Sequence, residues 1–336
     1  TPPPVFARDF VPDRMRTALL AVLVLALAAP VAVAHPERHA YFPNGSVGAV
    51  PTYRSTADQV LVVCKKDSAK RIRRSYKGHK RLMRKRLRLL RRCHFRNIQA
   101  AVNRAHNGAI IRIMPGVYRE MPSRRAPQPD PRCKDDYDQI GNAILASGMA
   151  GTGGGAPVPN YEYQRNCPNA QNLIAIIGDG PDADRVCDHK CNLQIQGMGR
   201  RRKDVLISGQ RTKLNVIRAD RADGIYLRNF TVEYSDFNNI YVLETNGFRL
   251  EDIRSRYSRE YGFLSFTSDH GLYNRLEAFG SGDSGVYPGS GPEGHCARYG
   301  IEIKHVNSHH NTIGYSGTAG NGVWAHDNRF HHNATA

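Results

Sequence analysis

Between Gly224 and the C-terminus the apolar positions recur in a block of constant internal order. The block reads GIYLRNFTVEYS from Gly224, GFRLEDIRSRYS from Gly247 and HGLYNRLEAFGS from His270. It returns as GIEIKHVNSHHN from Gly300 and GVWAHDNRFHHN from Gly322. One column runs Phe230, Ile253, Leu276, Val306, Asn328, with spacings of 23, 23, 30 and 22 residues. The next inward column runs Val232, Ser255, Ala278, Ser308, Phe330, and a turn column runs Ser235, Ser258, Ser281, Asn311, Asn333. Repeats of this length, with short strands and Gly, Asn or Ser at the turns, bury their small and aliphatic side chains only by stacking like on like. Each repeat carries a second strand after the turn, at 240–243, 263–266 and 286–287. Less regular apolar runs precede these at 172–178, 193–197, 205–209 and 215–219. The missing Leu ladder excludes a leucine-rich horseshoe, and a propeller needs longer units.

Upstream, Phe95-Arg-Asn-Ile-Gln-Ala-Ala-Val-Asn-Arg-Ala places Ile98, Ala101, Val102 and Ala105 on one helical face, and Gly108 ends it. A β-branched run, IIRIMPGVY, follows over 110–118 and continues into Arg119-Glu120. This order, together with the repeats, resembles the N-terminal cap and coils of the pectate-lyase-like right-handed parallel β-helix proteins. The resemblance covers residues 95–336. It implies a mainly β fold, a single-stranded right-handed parallel β-helix, preceded here by a basic helical hairpin. It also implies a polysaccharide-binding groove outside one parallel sheet, and it admits a calcium ion. Lyases of that superfamily use acidic calcium ligands and an Arg base, polygalacturonases several Asp, and pectinesterases Asp and Arg. None of those motif sets is evident, so no catalytic residue is carried over.

The first 34 residues stand apart. Thr17–Ala34 is apolar, follows Met15-Arg16 and ends in Ala32-Val33-Ala34, the pattern of a secretory signal peptide. Residues 1–14 read as an upstream extension. The expected divisions are 1–34, a segment of 35–94 with the basic hairpin, and the β-helix of 95–336. The mature chain is then extracellular, without a stable membrane span and monomeric. The sequence stops inside a fresh repeat without a cap, which reads as a fragment of a longer solenoid.

Charge is concentrated. The chain has 48 Lys/Arg against 30 Asp/Glu, net +18. Residues 65–96 hold 16 Lys/Arg and one acid, net +15, which leaves +3 for all the rest. Ile72 and Tyr76 share a face of the first basic helix, and Met83, Leu87 and Leu90 share a face of the second, with Gly78 between. Such a run is most simply a solvated face. It also suits a polyanion such as a polyuronate or a cell-wall polyphosphate. No nucleic acid is expected, because no aromatic interleaving or nucleic-acid motif accompanies the charge. The hairpin is expected to be a separable unit outside the core.

Export makes disulfides plausible for the seven cysteines. Cys64 and Cys93 flank the hairpin, Cys133 and Cys167 flank a Gly/Pro-rich insertion, and Cys187 and Cys191 close a small loop. A metal reading of Cys187, His189 and Cys191 fits no common zinc spacing. Candidate chemistry is local. Glu260 and Asp283 fall 23 residues apart in one turn column, where close carboxylates would raise a pKa or hold a cation. The long fourth repeat inserts Glu293, His295 and Arg298, and insertions on a solenoid often carry function. His309-His310 and His331-His332 stack at a spacing of 22, which suits a transition-metal patch or, more simply, surface or groove histidines without a metal. Strand alternation predicts that at most one of each pair shares a face. The Asn-x-Ser/Thr triplets at Asn44, Asn229 and Asn333 read as incidental. Together these features suggest a carbohydrate-active protein of lyase, hydrolase or epimerase type acting on an extracellular polysaccharide. The alternative is a non-catalytic surface or adhesion module.

Overall fold

From Gly224 onward most repeats supply three short strands, and a residue with left-handed backbone ends most of these strands. Asn229, Asp252, Arg275, His305 and Asp327 close the first strand of successive repeats at φ between 52° and 58°. Tyr234, Tyr257, Gly280, His310 and His332 close the second, and Arg221, Glu244, Thr267 and Ser290 the third. A left-handed residue bends the chain sharply without an added loop, at a cost of about 1–2 kcal/mol when it is not glycine. The corner backbone is satisfied by the next repeat: Asn229 donates to the Glu251 carbonyl at 3.1 Å and Asp252 to that of Asn274 at 3.1 Å.

The computed structural model describes residues 38, 41–139, 157–178, 187–292 and 297–335. All belong to one unit, Arg38–Ala336. The unit is mainly β, with parallel strands stacked in three sheets of eight, seven and six strands. The first sheet runs from Val60–Val63 through Ile110–Ile113, Gln194–Gly197, Ile225–Arg228, Asn246–Glu251, Asp269–Asn274 and Ile301–Lys304 to Val323–His326. The register Ile225↔Phe248↔Gly271↔Ile301↔Val323 reproduces the spacings of 23, 23, 30 and 22. The column Val232↔Ser255↔Ala278↔Ser308↔Phe330 lies in the second sheet, and its first four members are buried.

One apolar core fills the space between the sheets. Gly271 is required there, because a Cβ at this position would lie 2.3 Å from the Phe248 ring. Polar columns are paired along the stack: Asn238 donates to Asn215, and Asn215 to Asn172, each at 2.8 Å. Asn328 stands in an otherwise apolar column, and the preceding repeat satisfies it. Its oxygen accepts from the Val306 N–H at 3.0 Å and its amide donates to the Ile303 carbonyl at 2.8 Å.

Two basic helices, α1 (Ser68–Ser75) and α2 (Lys80–Leu90), lie between Cys64 and Cys93, which are disulfide-bonded. Two differences from the sequence reading appear here. The parallel stack begins at Val60, ahead of the helices and of the expected boundary at 95, because Val60–Val63 pairs with Ile110–Ile113. The helices also pack against the stack instead of standing apart from it. Ile72 and Tyr76 are buried in a cluster with Val62, Met114 and Met198, and Met83, Leu87 and Leu90 pack against it. The apolar helix faces find a partner in the stack, and the Tyr76 hydroxyl donates to the Met198 carbonyl at 2.9 Å.

Helix α3 (Ile98–Arg104) packs Ile98, Ala101 and Val102 into the main core. Its first turn explains the P-G-x-Y-R-E run. Glu120 is fully buried at φ 48°, and its two oxygens accept from the Ile98 and Gln99 N–H groups at 2.9 Å each. The Tyr118 hydroxyl donates to the Met114 carbonyl at 2.7 Å. Cys133–Cys167 and Cys187–Cys191 are also disulfide-bonded. Among the described residues no helix is long and apolar enough to cross a membrane. The expected signal peptide, residues 17–34, lies outside the described residues.

Candidate functional site

The outer face of the first sheet is divided by the segment 41–57. This strap lies across the sheet's early strands. Its Arg54 backbone exchanges two hydrogen bonds with the Gln194 amide at 2.8 Å each, and Tyr53 meets Tyr226 edge-on at 6.4 Å. The Asn246 amide donates to the Val47 carbonyl at 2.9 Å and to that of Asn44 at 3.1 Å. Gly247 (φ 81°) permits this crossing, since a Cβ there would sit 2.6 Å from the Ala49 carbonyl oxygen. Past the strap the sheet is open, and a groove of about 1100 Å³ runs from Val50 and His270 to Glu302 and Trp324.

Alternation along the strands builds the groove floor. In Ile301–Lys304 the residues Ile301 and Ile303 point into the core, which turns Glu302 and Lys304 outward. Trp324 and His326 stand in the same outward columns of the last strand. Trp324 and Tyr299 are exposed, and their rings approach to 4.9 Å. The Trp324 ring also stacks on His326 at 4.1 Å. His326 joins Glu302 at 2.9 Å through Nε2 and Asp327 at 2.8 Å through Nδ1, and Lys304 donates to the same Glu302 oxygen at 2.7 Å. Hydrogen bonding to Glu302, then to Asp327, raises the His326 pKa. Burial alone would raise the Glu302 carboxyl, but the bonds from Lys304 and His326 outweigh it and hold it below the usual range. The pair therefore favours imidazolium and carboxylate.

Of the residues marked by the sequence, Arg298 is in this groove. Its guanidinium grips the buried Asp269 carboxylate through two bonds of 2.8 and 2.7 Å, which raises its pKa and fixes a cation at the groove wall. His270, at φ 49°, contacts Asn246 through Nδ1 at 2.9 Å. Glu293 and His295 lie outside the described residues.

Glu260 and Asp283 stand elsewhere, at the turn between the second and third sheets. They are neighbours in adjacent repeats, with the Asp283 N–H donating to the Glu260 carbonyl at 3.1 Å. Burial, and then the Asp283 charge, raises the Glu260 pKa. Two carboxylates fall short of the six to eight oxygens that calcium takes. Among the described residues no group of three or more His, Cys, Asp or Glu is placed to hold a metal ion.

The histidine pairs correct the alternation argument. His309 and His331 end strands of the second sheet, while His310 and His332 occupy left-handed corners at φ 55° and 53°. The corner swings the second ring back toward the first. The Nδ1 atoms of His309 and His310 approach to 2.7 Å, and those of His331 and His332 to 2.6 Å. Both members of each pair thus share a face, and the pairs stack with ring centroids 5.2 and 5.4 Å apart.

Sequence reasoning passed over Glu302, Trp324, Tyr299 and His326. The signal was available in GIEIKH and GVWAHD, where strict alternation around Ile301/Ile303 and Val323/Ala325 turns Glu302, Lys304, Trp324 and His326 to the outside.

No family model matches this chain, and neither a curated protein nor a solved structure matches it.

Proposed function

We propose that the three sheets wind as a right-handed parallel β-helix of the pectate-lyase-like kind, and that the chain is an exported, carbohydrate-active protein. Its polysaccharide would lie in the groove on the first sheet, alongside the strap. The observation that carries this reading is the exposed Tyr299–Trp324 pair beside a carboxylate and a fixed guanidinium. Aromatic faces suit the C–H faces of pyranose rings, while Glu302 and Arg298 offer an acceptor and donors to hydroxyls or ring carboxylates. The three disulfides are compatible with an extracellular setting.

Within this reading the His326 imidazolium, stacked on Trp324, is the candidate proton donor. Glu302, ionised and engaged by Lys304 and His326, is an acceptor rather than an acid. That engagement also favours a second reading, a non-catalytic glycan-binding module. Glycoside hydrolysis ordinarily needs two carboxylates flanking the bond, whereas among the described residues lining this groove Glu302 is the one acid. Reducing-end and unsaturated-uronate assays across a polysaccharide panel, run on wild type and Glu302→Gln, test the choice. Turnover lost in Glu302→Gln supports catalysis. Retention without turnover supports the module. Neither retention nor turnover on any polysaccharide removes the proposal.

A further inference from the structure

A second concave site lies against the basic helices, on residues separate from the groove. A cleft of about 650 Å³ is lined by Asp67, Lys70, Arg71, Arg74 and Ser75 from the α1 side and by Arg201, Lys203 and Asp204 from the turn facing it. Both acids are already engaged within the protein. Asp67 pairs with Arg71 at 2.6 Å. Asp204 accepts from the Ser75 hydroxyl at 2.6 Å and from the Arg201 N–H at 2.9 Å, which also locks the two walls together. Lys70, Arg74, Arg201 and Lys203 remain, all exposed. Among the described residues none of the four has a carboxylate partner.

This is unlike the rest of the helical charge. Most cations of α2 are exposed and none of them lines the cleft, so each is hydrated and screened over about 8 Å at physiological salt. In the cleft, cations from two walls face a common space with low-dielectric sides, which focuses the potential. Their placement also selects the shape of the ligand. A carboxylate on a sugar ring presents one planar edge and can serve one wall. A tetrahedral oxyanion directs oxygens to both walls at once, and Arg forks and Lys ammoniums both accept that geometry.

We infer that this cleft is a binding site for the tetrahedral oxyanion groups, phosphate or sulfate esters, of an extracellular polymer. The α1 cations Lys70 and Arg74 hold one side of the anion, and Arg201 and Lys203 hold the other. The remaining helix cations draw the polymer in without selecting its chemistry.

The test uses the full disulfide-bonded chain and three probes: inorganic polyphosphate, heparin and polygalacturonate. The cleft variant is Arg74→Gln/Arg201→Gln/Lys203→Gln. The control, Lys77→Gln/Lys80→Gln/Arg81→Gln, removes the same charge outside the cleft. The cleft variant should lose tenfold or more in affinity for polyphosphate or heparin, and the control less than threefold. Whichever of those probes binds more tightly identifies the oxyanion as phosphate or sulfate. Equal losses in the two variants, or polygalacturonate bound as tightly as both polyphosphate and heparin, would overturn the site. Amine acylation of the wild-type chain, read by mass spectrometry, keeps the test independent of variant folding. Bound polyphosphate or heparin should protect Lys70 and Lys203 more than Lys80 and Lys85, and uniform protection would contradict the proposal.

Discussion

The Glu302 carboxylate and the His326 imidazole meet at 2.9 Å on the outer face of the first sheet, one repeat apart. The contact couples the two last described strands of that sheet, and it has a defined pH window. The His326 pKa lies above its ordinary value of 6.5, so its contribution is complete below 6.5 and is lost as pH rises through the raised value. The Glu302 pKa lies below its ordinary 4.5, so its contribution is present above 4.5 and is lost as pH falls through the lowered value. Between the two the pair is charged on both sides. An NMR titration of His326 should give a midpoint above 6.5 that moves down in Glu302→Gln, with Asp327 retaining part of the shift. A midpoint at or below 6.5, or one indifferent to that substitution, would show that the contact is not formed.

Glu120 joins helix α3 to the first repeat. Glu120→Ala leaves the Ile98 and Gln99 N–H groups buried without their acceptor, which costs about 1–3 kcal/mol for each unsatisfied group. Urea unfolding should show the midpoint falling at unchanged slope. A loss under about 0.5 kcal/mol would mean that these donors find water instead.

The ring of Phe248 occupies the space that Gly271 leaves open in the next repeat. Gly271→Ala should destabilise by about 1–3 kcal/mol through overpacking. In a double-mutant cycle, Phe248→Leu should recover part of that loss. Strict additivity would place the strain elsewhere.

The Cys64–Cys93 bond closes a separation of 29 residues around two densely charged helices. Replacing both cysteines by serine should cost about 3–4 kcal/mol in the chain-entropy treatment. Deleting residues 65–92 should cost more, because it strips the cover from Val62, Met114 and Met198. A deletion variant melting at the wild-type temperature would restore the idea of a separable hairpin.

The stacking register was legible because its signal is repeated. Spacings of 23, 23, 30 and 22 residues set the pairing of every first-sheet strand from Ile225 onward. Strand Val60–Val63 was not legible, since one apolar run beside so many cations carries no repeat and is recruited by its partner Ile110–Ile113. The groove was half legible. Arg298 stood out in an insertion, but its meaning depends on Asp269, 29 residues away and buried. Trp324 and Glu302 were hidden in plain alternation, because nothing in the sequence says which outer face stays open. That depends on where the strap ends, and Asn246 and Gly247 decide it through contacts with residues about 200 positions earlier. The histidine pairs misled because alternation fails at a left-handed corner.

Trp324 is the single tryptophan of the chain and stands on the groove floor, so its fluorescence reports on this site alone. The decisive measurement is a titration of the full chain with oligosaccharides from neutral and uronic polysaccharides, followed by tryptophan emission. A polysaccharide bound in the groove should give a saturable change in intensity or wavelength. Its affinity should fall about fivefold to tenfold in Tyr299→Ala, the loss of roughly 1 kcal/mol of ring contact. Saturable binding seen by calorimetry with unchanged Trp324 emission would place the glycan elsewhere and contradict the account.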